Sequence, residues 1–158
     1  MPRILPIITK PSVILREKSC EIAKEGIARN SFQELILDMV KTMKEKDGIG
    51  LAAPQIGQNI RMIIINTKDG ALCMINPKIK NKSLRKEWEE EGCLSVPGIY
   101  GQVKRHKKLV CIYTNQNGKD KKIQAEGLMA RIIQHETDHL DGILFIDKAK
   151  NVQEVDLL

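Results

Sequence analysis

The sequence predicts an α+β fold in which antiparallel strands pack around a central helix, all within a single domain spanning residues 1–158. Three observations lead there. Two segments carry apolar residues at helical spacing, Phe32 to about Lys46 and Gly127 to Leu140. Several short β-rich segments lie between them without a regular strand–helix alternation. Finally, Asn115-Gln116-Asn117-Gly118 separates two strand-like runs as a hairpin turn would.

Taken in order, residues 1–11 contain three prolines and should be extended. Ser12 to Ala23 reads as a short helix or turn followed by loop. In the first long helix, Ser31 and Glu34 have the S-x-x-E spacing of a capping box. Phe32, Leu35, Ile36, Met39, Val40 and Met43 form its apolar stripe, which should pack on a sheet. Ile60 to Asn66 and Ala71 to Ile75 read as strands, the second ended by a turn-like break at Asn76-Pro77. Lys108 to Thr114 and Lys121 to Ala125 form the hairpin. Gly142 is positioned to close the second helix in a left-handed cap.

Composition sets limits on function. The 158 residues are 42% hydrophobic and 29% charged, which is globular rather than disordered. No apolar run approaches the ~20 residues needed to span a bilayer, and the N-terminus lacks an apolar signal region. A cytoplasmic protein with no membrane association is expected. The four cysteines form no C-x-x-C pair, so disulfides are not expected. The net charge of +6 reads either as a solvated basic surface or as weak attraction to RNA. Nothing points to recognition of a specific nucleic-acid sequence.

The chemistry concentrates in His135-Glu136-Thr137-Asp138-His139, an H-E-x-x-H motif within the second helix. Residues four apart share a helix face, so both imidazoles can reach one metal ion. Glu136, one position along, can aim at a water beside that ion. Such a site needs a third protein ligand and an open position. Downstream there are acids but no histidine. Upstream, Cys93 sits in Glu91-Gly92-Cys93-Leu94-Ser95, a loop-like stretch, and chemistry alone favours it modestly over the other thiols. Cys73 and Cys111 lie in apolar strand patterns and read as core. Gly48-Ile49-Gly50-Leu51-Ala52-Ala53-Pro54-Gln55 lacks a phosphate-loop signature; its small residues allow close backbone approach to a peptide instead.

Three stretches together resemble the signature motifs of peptide deformylases: G-I-G-L-A-A-P-Q at 48–55, E-G-C-L-S at 91–95 and Q-H-E-T-D-H-L-D-G at 134–142. They stand in that family's order, and the likeness extends over nearly the whole chain. The resemblance implies hydrolysis of the formyl group of N-formylmethionyl peptides, with release of formate. It implies Cys93 as the third metal ligand beside His135 and His139, and Glu136 as the group that moves the proton. Gln55 and the backbone N–H of Leu94 become the donors to the developing oxyanion, and Gly50 a contact to the peptide backbone. It further implies Fe2+ as the metal in the cell, with Zn2+, Ni2+ or Co2+ acceptable to the same donors. It also implies a setting near the ribosome, where the basic surface could make a weak electrostatic contact. The tail 151–158, acidic and without a basic residue, should not contribute to that contact.

A deformylase needs an apolar slot for methionine. Ile49, Leu128 and Ile132 are the candidates, the last two sharing the helical face of His135; each reads equally well as plain core. Asp138, Glu91 and Arg105 are candidates for a charged support behind the ligands. Two rival readings stand beside this one: another metallohydrolase, such as a peptidase, and a purely structural metal site.

Overall fold

A computed structural model describes residues 1–157. After the extended N-terminal segment and a 3-10 turn at Val13–Arg16 come helices α1 (Lys24–Ile27) and α2 (Asn30–Glu45). Strands β1 (Gly50–Ala52), β2 (Met62–Thr67) and β3 (Gly70–Lys80) follow, then β4 (Lys86–Cys93), β5 (Val96–His106), β6 (Lys108–Thr114) and β7 (Asp120–Glu126). Helix α3 (Leu128–Leu140) and strand β8 (Lys150–Glu154) complete the order. All strand pairs are antiparallel, in a five-stranded sheet ordered β1-β2-β3-β6-β7 and a three-stranded sheet ordered β4-β5-β8.

The larger sheet is covered on both faces, and the pleat of β2 explains why Met62-Ile63-Ile64-Ile65 is apolar throughout. Alternate side chains point to opposite faces. Ile63 and Ile65 join Met74, Leu109 and Cys111 against Ala130, Ile133 and Leu140 of α3. Met62 and Ile64 join Leu51 and Ile75 against Ile36, Met39 and Met43 of α2. Met39 and Met43 are fully buried, each stabilising by roughly 1.5–3 kcal/mol. A smaller core of Leu15, Val96, Val103, Leu144 and Phe145 lies under the three-stranded sheet. Helix α3 therefore runs between two packed layers, with its middle turns facing the strand ends of the smaller sheet.

Three local expectations are corrected. The Ser31 capping box does not form: α1 leads into α2 through two residues, and the Arg29 carbonyl already accepts the N–H groups of Phe32 and Gln33. Ser31 thus lies inside the helix, which begins at Asn30. Asn76-Pro77 does not end β3 but makes a bulge in its pairing with β6, with Asn76 at φ 51°. The Asn76 side chain locks that bulge by exchanging two hydrogen bonds with the Ile22 backbone, at 2.9 and 2.8 Å. Cys93 is not in a loop but ends β4, and a two-residue turn, Leu94-Ser95, leads into β5. The hairpin of β6 and β7 forms as expected, and Gly142 takes the left-handed conformation after α3, at φ 73°.

Candidate metal centre

Helix α3 presents His135 and His139 one turn apart toward the end of β4, where Cys93 sits. One donor atom from each lies within 4.8 Å of the others. Cys93 Sγ and His139 Nε2 are 3.3 Å apart. Donors around a tetrahedral zinc-type ion, at about 2.0–2.3 Å from it, would stand about 3.5 Å from each other. The donor set and its spacing therefore fit one divalent ion, which would be held by Cys93, His135 and His139.

The sequence elements make this convergence possible in specific ways. The β4–β5 turn holds the thiol, and Gly92 before it leaves room for Tyr100: a Cβ there would stand 2.7 Å from the ring. A Cβ on Gly50 would come within 2.6 Å of Glu136 Oε1, so a larger residue there would push the Glu136 carboxyl out of its present position. The extended N-terminus braces the same region, with Ile8 N–H donating to the Gln55 carbonyl and Lys10 N–H to that of Ser95.

Behind the ligands lies a buried charged cluster. His135 Nδ1 donates to Glu91 Oε1 at 2.8 Å, which leaves Nε2 free to face the ion. Glu91 also accepts from Arg105 Nε and Nη2, at 3.0 and 2.9 Å, and from Arg131 Nη1 at 2.6 Å. Arg105 reaches on to Asp138. The expected support by Glu91, Arg105 and Asp138 is thus assembled. Arg131 was missed, although its place four residues before His135 on one helix face was a usable signal. The ring of Phe145 stacks on His135 with centroids 6.1 Å apart.

This environment separates the titrating groups. Burial opposes a charge on Glu91, but hydrogen bonds from His135 and Arg105 outweigh it and hold the carboxyl well below the usual range. Burial likewise opposes a charge on His135, yet hydrogen bonding to Cys93 and Glu91 raises the imidazole to about 10. His139 is driven well below its ordinary value, chiefly by burial and then by His135 and Arg105. Burial pushes Glu136 up to about 7. Its Oε2 is buried without a hydrogen-bond partner among the described residues. A carboxylate held this way beside three metal donors can take up and return a proton.

Gln55 is 2% exposed, in a 3-10 turn (Ala53–Ile56) after β1. Its Oε1 accepts from Ala52 N–H at 2.9 Å, which fixes the amide orientation. Its Nε2 faces Ser95 Oγ at 3.1 Å and Cys93 Sγ at 3.4 Å. Gln55, Leu94 and Gly50 line a cavity of about 320 Å3 together with Cys93, His135 and Glu136. The three methionine-slot candidates also converge. Ile49, Leu128 and Ile132 line a second cavity of about 110 Å3, which shares His135 and Glu136 with the first. Ile49 and Leu128 are more than half exposed and Ile132 is buried, so plain core describes only the last. Of the other thiols, Cys73 and Cys111 are buried in the sheet as expected, while Cys20 is exposed and not part of the donor group.

Comparison with known proteins agrees with this geometry. A family model described as polypeptide deformylase matches residues 4–155. Peptide deformylase 2 of Gloeobacter violaceus is 45% identical over 152 residues, covering 93% of this chain and 80% of that protein. Among solved structures, a class I type b peptide deformylase from Acinetobacter baumannii, bound to Met-Ala-Ser, superposes with a TM-score of 0.90. It is 35% identical and covers 94% of this chain and 99% of its own. The peptide deformylase of Synechococcus elongatus in complex with actinonin gives a TM-score of 0.86 at 39% identity, over 93% of this chain and 79% of that one.

Proposed function

The chain belongs to the polypeptide deformylase family and has peptide deformylase activity, and from that premise we propose that residues 1–158 act as one catalytic domain on N-formylmethionyl ends of nascent peptides, with Glu136 as the proton carrier. The observation that carries this assignment is the convergence of one cysteine sulfur and two imidazoles beside a buried carboxylate oxygen with no hydrogen-bond partner among the described residues. A divalent ion held by Cys93, His135 and His139 would supply Lewis acidity and make an attacking water more acidic. Fe2+ is our reading for the cell; Zn2+, Ni2+ and Co2+ suit the same mixed donors.

The protein's own groups account for the remaining steps. Glu136 Oε2 accepts the proton as water adds to the formyl carbon. The same oxygen then delivers it to the departing amine nitrogen, which leaves formate and a free amino terminus. Held out of water beside the three metal donors, with Oε2 unpartnered among the described residues, the carboxyl is placed for both transfers. Negative charge collects meanwhile on the formyl oxygen. Gln55 Nε2 and the Leu94 N–H are its donors, the amide exchanging its long contact to sulfur for the stronger bond to an oxyanion. Gly50 keeps the peptide backbone close to Glu136. Ile49, Leu128 and Ile132 receive the methionine side chain, whose flexible thioether suits a small apolar slot.

The setting we infer is the cytoplasm, with a weak, salt-sensitive ribosome contact. Among the described residues no helix is long and apolar enough to cross a membrane. Support for the ribosome contact comes from the net charge of +6 and from a lysine-rich surface hollow that includes Lys82, Lys86 and Lys104. The tail is a poor docking element: residues 150–154 form a strand on the smaller sheet rather than a helix, and Leu158 lies outside the described residues. Sedimentation with ribosomes across a salt series, with and without residues 151–158, tests the point; tight binding at high salt, or binding lost on deleting the tail, would contradict it.

The acyl group tests the activity itself. Acetyl-Met peptides place a methyl where formyl has hydrogen, and the oxyanion donors leave little room to shift. A small misalignment costs on the order of 100-fold in rate. Values of kcat/KM for formyl-Met-Ala should exceed those for acetyl-Met-Ala by at least that factor, whereas formyl-Ala-Ala should fall more gradually. Comparable rates on the formyl and acetyl peptides would leave a metallohydrolase but remove the proposed specificity.

A further inference from the structure

The cavity that holds the metal donors has a wall the mechanism does not use. Beyond β8 the chain continues along β5, and Val155 N–H donates to the Gly98 carbonyl at 2.7 Å. Gly98 has φ 76° and no side chain, which lets the tail close on it: a Cβ there would meet the Val155 carbonyl at 2.9 Å and Leu157 Cγ at 3.3 Å. Leu157 consequently stands at the rim of the same cavity as Gln55, Cys93, His135 and Glu136, although it is 71% exposed. Leu157 does not stand alone there: with Pro97, Ile99 and Tyr100 it makes a contiguous apolar surface around the cavity, and such a surface marks a binding site.

The two cavities divide the work. They share Ile49, His135 and Glu136, so both open from the reacting centre. If the smaller one takes the methionine side chain, the rest of the peptide must leave through the larger. Besides Cys93, His135 and Glu136, the walls of that larger cavity include Pro97, Gly98, Ile99, Tyr100 and Leu157. These are apolar or aromatic, and among the described residues no lysine or arginine lines the cavity.

We propose that Leu157, carried on the tail beside Gly98, is a specificity-determining residue for the side chains that follow the substrate's methionine, favouring apolar over acidic ones. This rests on the deformylase reading above. An apolar substrate side chain covers Leu157 and Ile99 and removes both surfaces from water. An acidic one meets the same apolar surfaces with no lysine or arginine beside it and gives up hydration there without a paired contact.

The test compares formyl-Met-Ala-Leu with formyl-Met-Ala-Glu on the metal-loaded enzyme. The parent should favour the leucine peptide. Leu157→Ala should reduce that kcat/KM ratio about fivefold, the value of roughly half a leucine's burial. Leu157→Lys should go further and raise kcat/KM on the glutamate peptide in absolute terms, mainly through KM, which a merely structural role for the tail would not do. Because Leu157 is exposed, neither change threatens folding, and thermal melting checks this. Equal ratios in all three proteins would overturn the proposal. A parent that deformylates neither peptide would instead refute the reading on which it rests.

Discussion

Replacing Glu91 by glutamine would separate the support of the metal centre from the centre itself. Glu91 is 8% exposed and accepts four hydrogen bonds, three from guanidinium groups and one from His135 Nδ1. Glutamine retains one acceptor oxygen but turns an NH2 toward donors. With its oxygen kept toward His135, the NH2 faces Arg105 Nε and Arg131 Nη1. Two charge-assisted hydrogen bonds are lost, each contributing roughly 1.5–3 kcal/mol. Asp138 still serves Arg105 and Glu89 still serves Arg131, so the net cost should lie near 3–5 kcal/mol, the usual range for breaking a buried ion pair. For a chain of this size that lowers Tm by roughly 6–20 °C. Metal affinity should fall about 10- to 100-fold as His135 loses its fixed orientation. Thermal unfolding followed by circular dichroism, with metal titration of the stripped protein, measures both. Because the folded-state pKa of Glu91 is depressed, its stabilisation is present above the unfolded value of about 4.3 and is lost as pH falls toward the folded one. The gap between parent and variant should therefore close on acidification below about pH 4. A variant melting within about 2 °C of the parent, with unchanged metal affinity, would refute the view that Glu91 organises the site.

Glu136→Ala should keep the metal and lose most turnover; near-parental deformylation with metal bound would remove it from the proton step. Cys93→Ala should lose metal or activity, while Cys20→Ala, Cys73→Ala and Cys111→Ala leave the centre assembled, as metal analysis of the four purified variants would establish. In the folded parent, iodoacetamide near neutral pH should modify Cys20 and spare Cys73 and Cys111, whose thiols burial pushes up to about 12 and about 11.

The sequence disclosed those parts of the molecule in which one physical pattern dominates. Helix α2 announces itself through its Met and Leu stripe, α3 through the i, i+4 histidines, and the β6–β7 hairpin through its Asn-Gly turn. The donor set was legible because H-E-x-x-H has few other uses for a helix, although Cys93 needed the company of the other motifs. Strands β4 and β5 were hidden because Glu87, Glu89, Glu90, Lys104 and Arg105 give no apolar alternation. The buried positions in their pairing include Glu91 and Arg105, which satisfy each other rather than form an apolar face. Strand β8 is polar and exposed along its whole length, so only pairing with β5 identifies it. The Ser31 cap failed because a local signal was overridden by the helix that precedes it. Arg131 escaped notice because an arginine on an amphipathic helix normally goes to solvent, whereas here Glu91 draws it inward.

Two of the three metal donors ride on one rigid helix, but the third belongs to a different layer, 46 positions from His139 along the chain. An ion gripped by all three is thus a clasp between the smaller sheet and the helix that backs the larger one. Binding that favours the closed arrangement adds to its stability by mass action, about 4 kcal/mol when free metal is a thousandfold above Kd. The same ion would then bear on how firmly the smaller sheet and α3 are held together as well as on turnover. Free metal added to the stripped protein should therefore raise Tm, because the ion would tie the smaller sheet to α3.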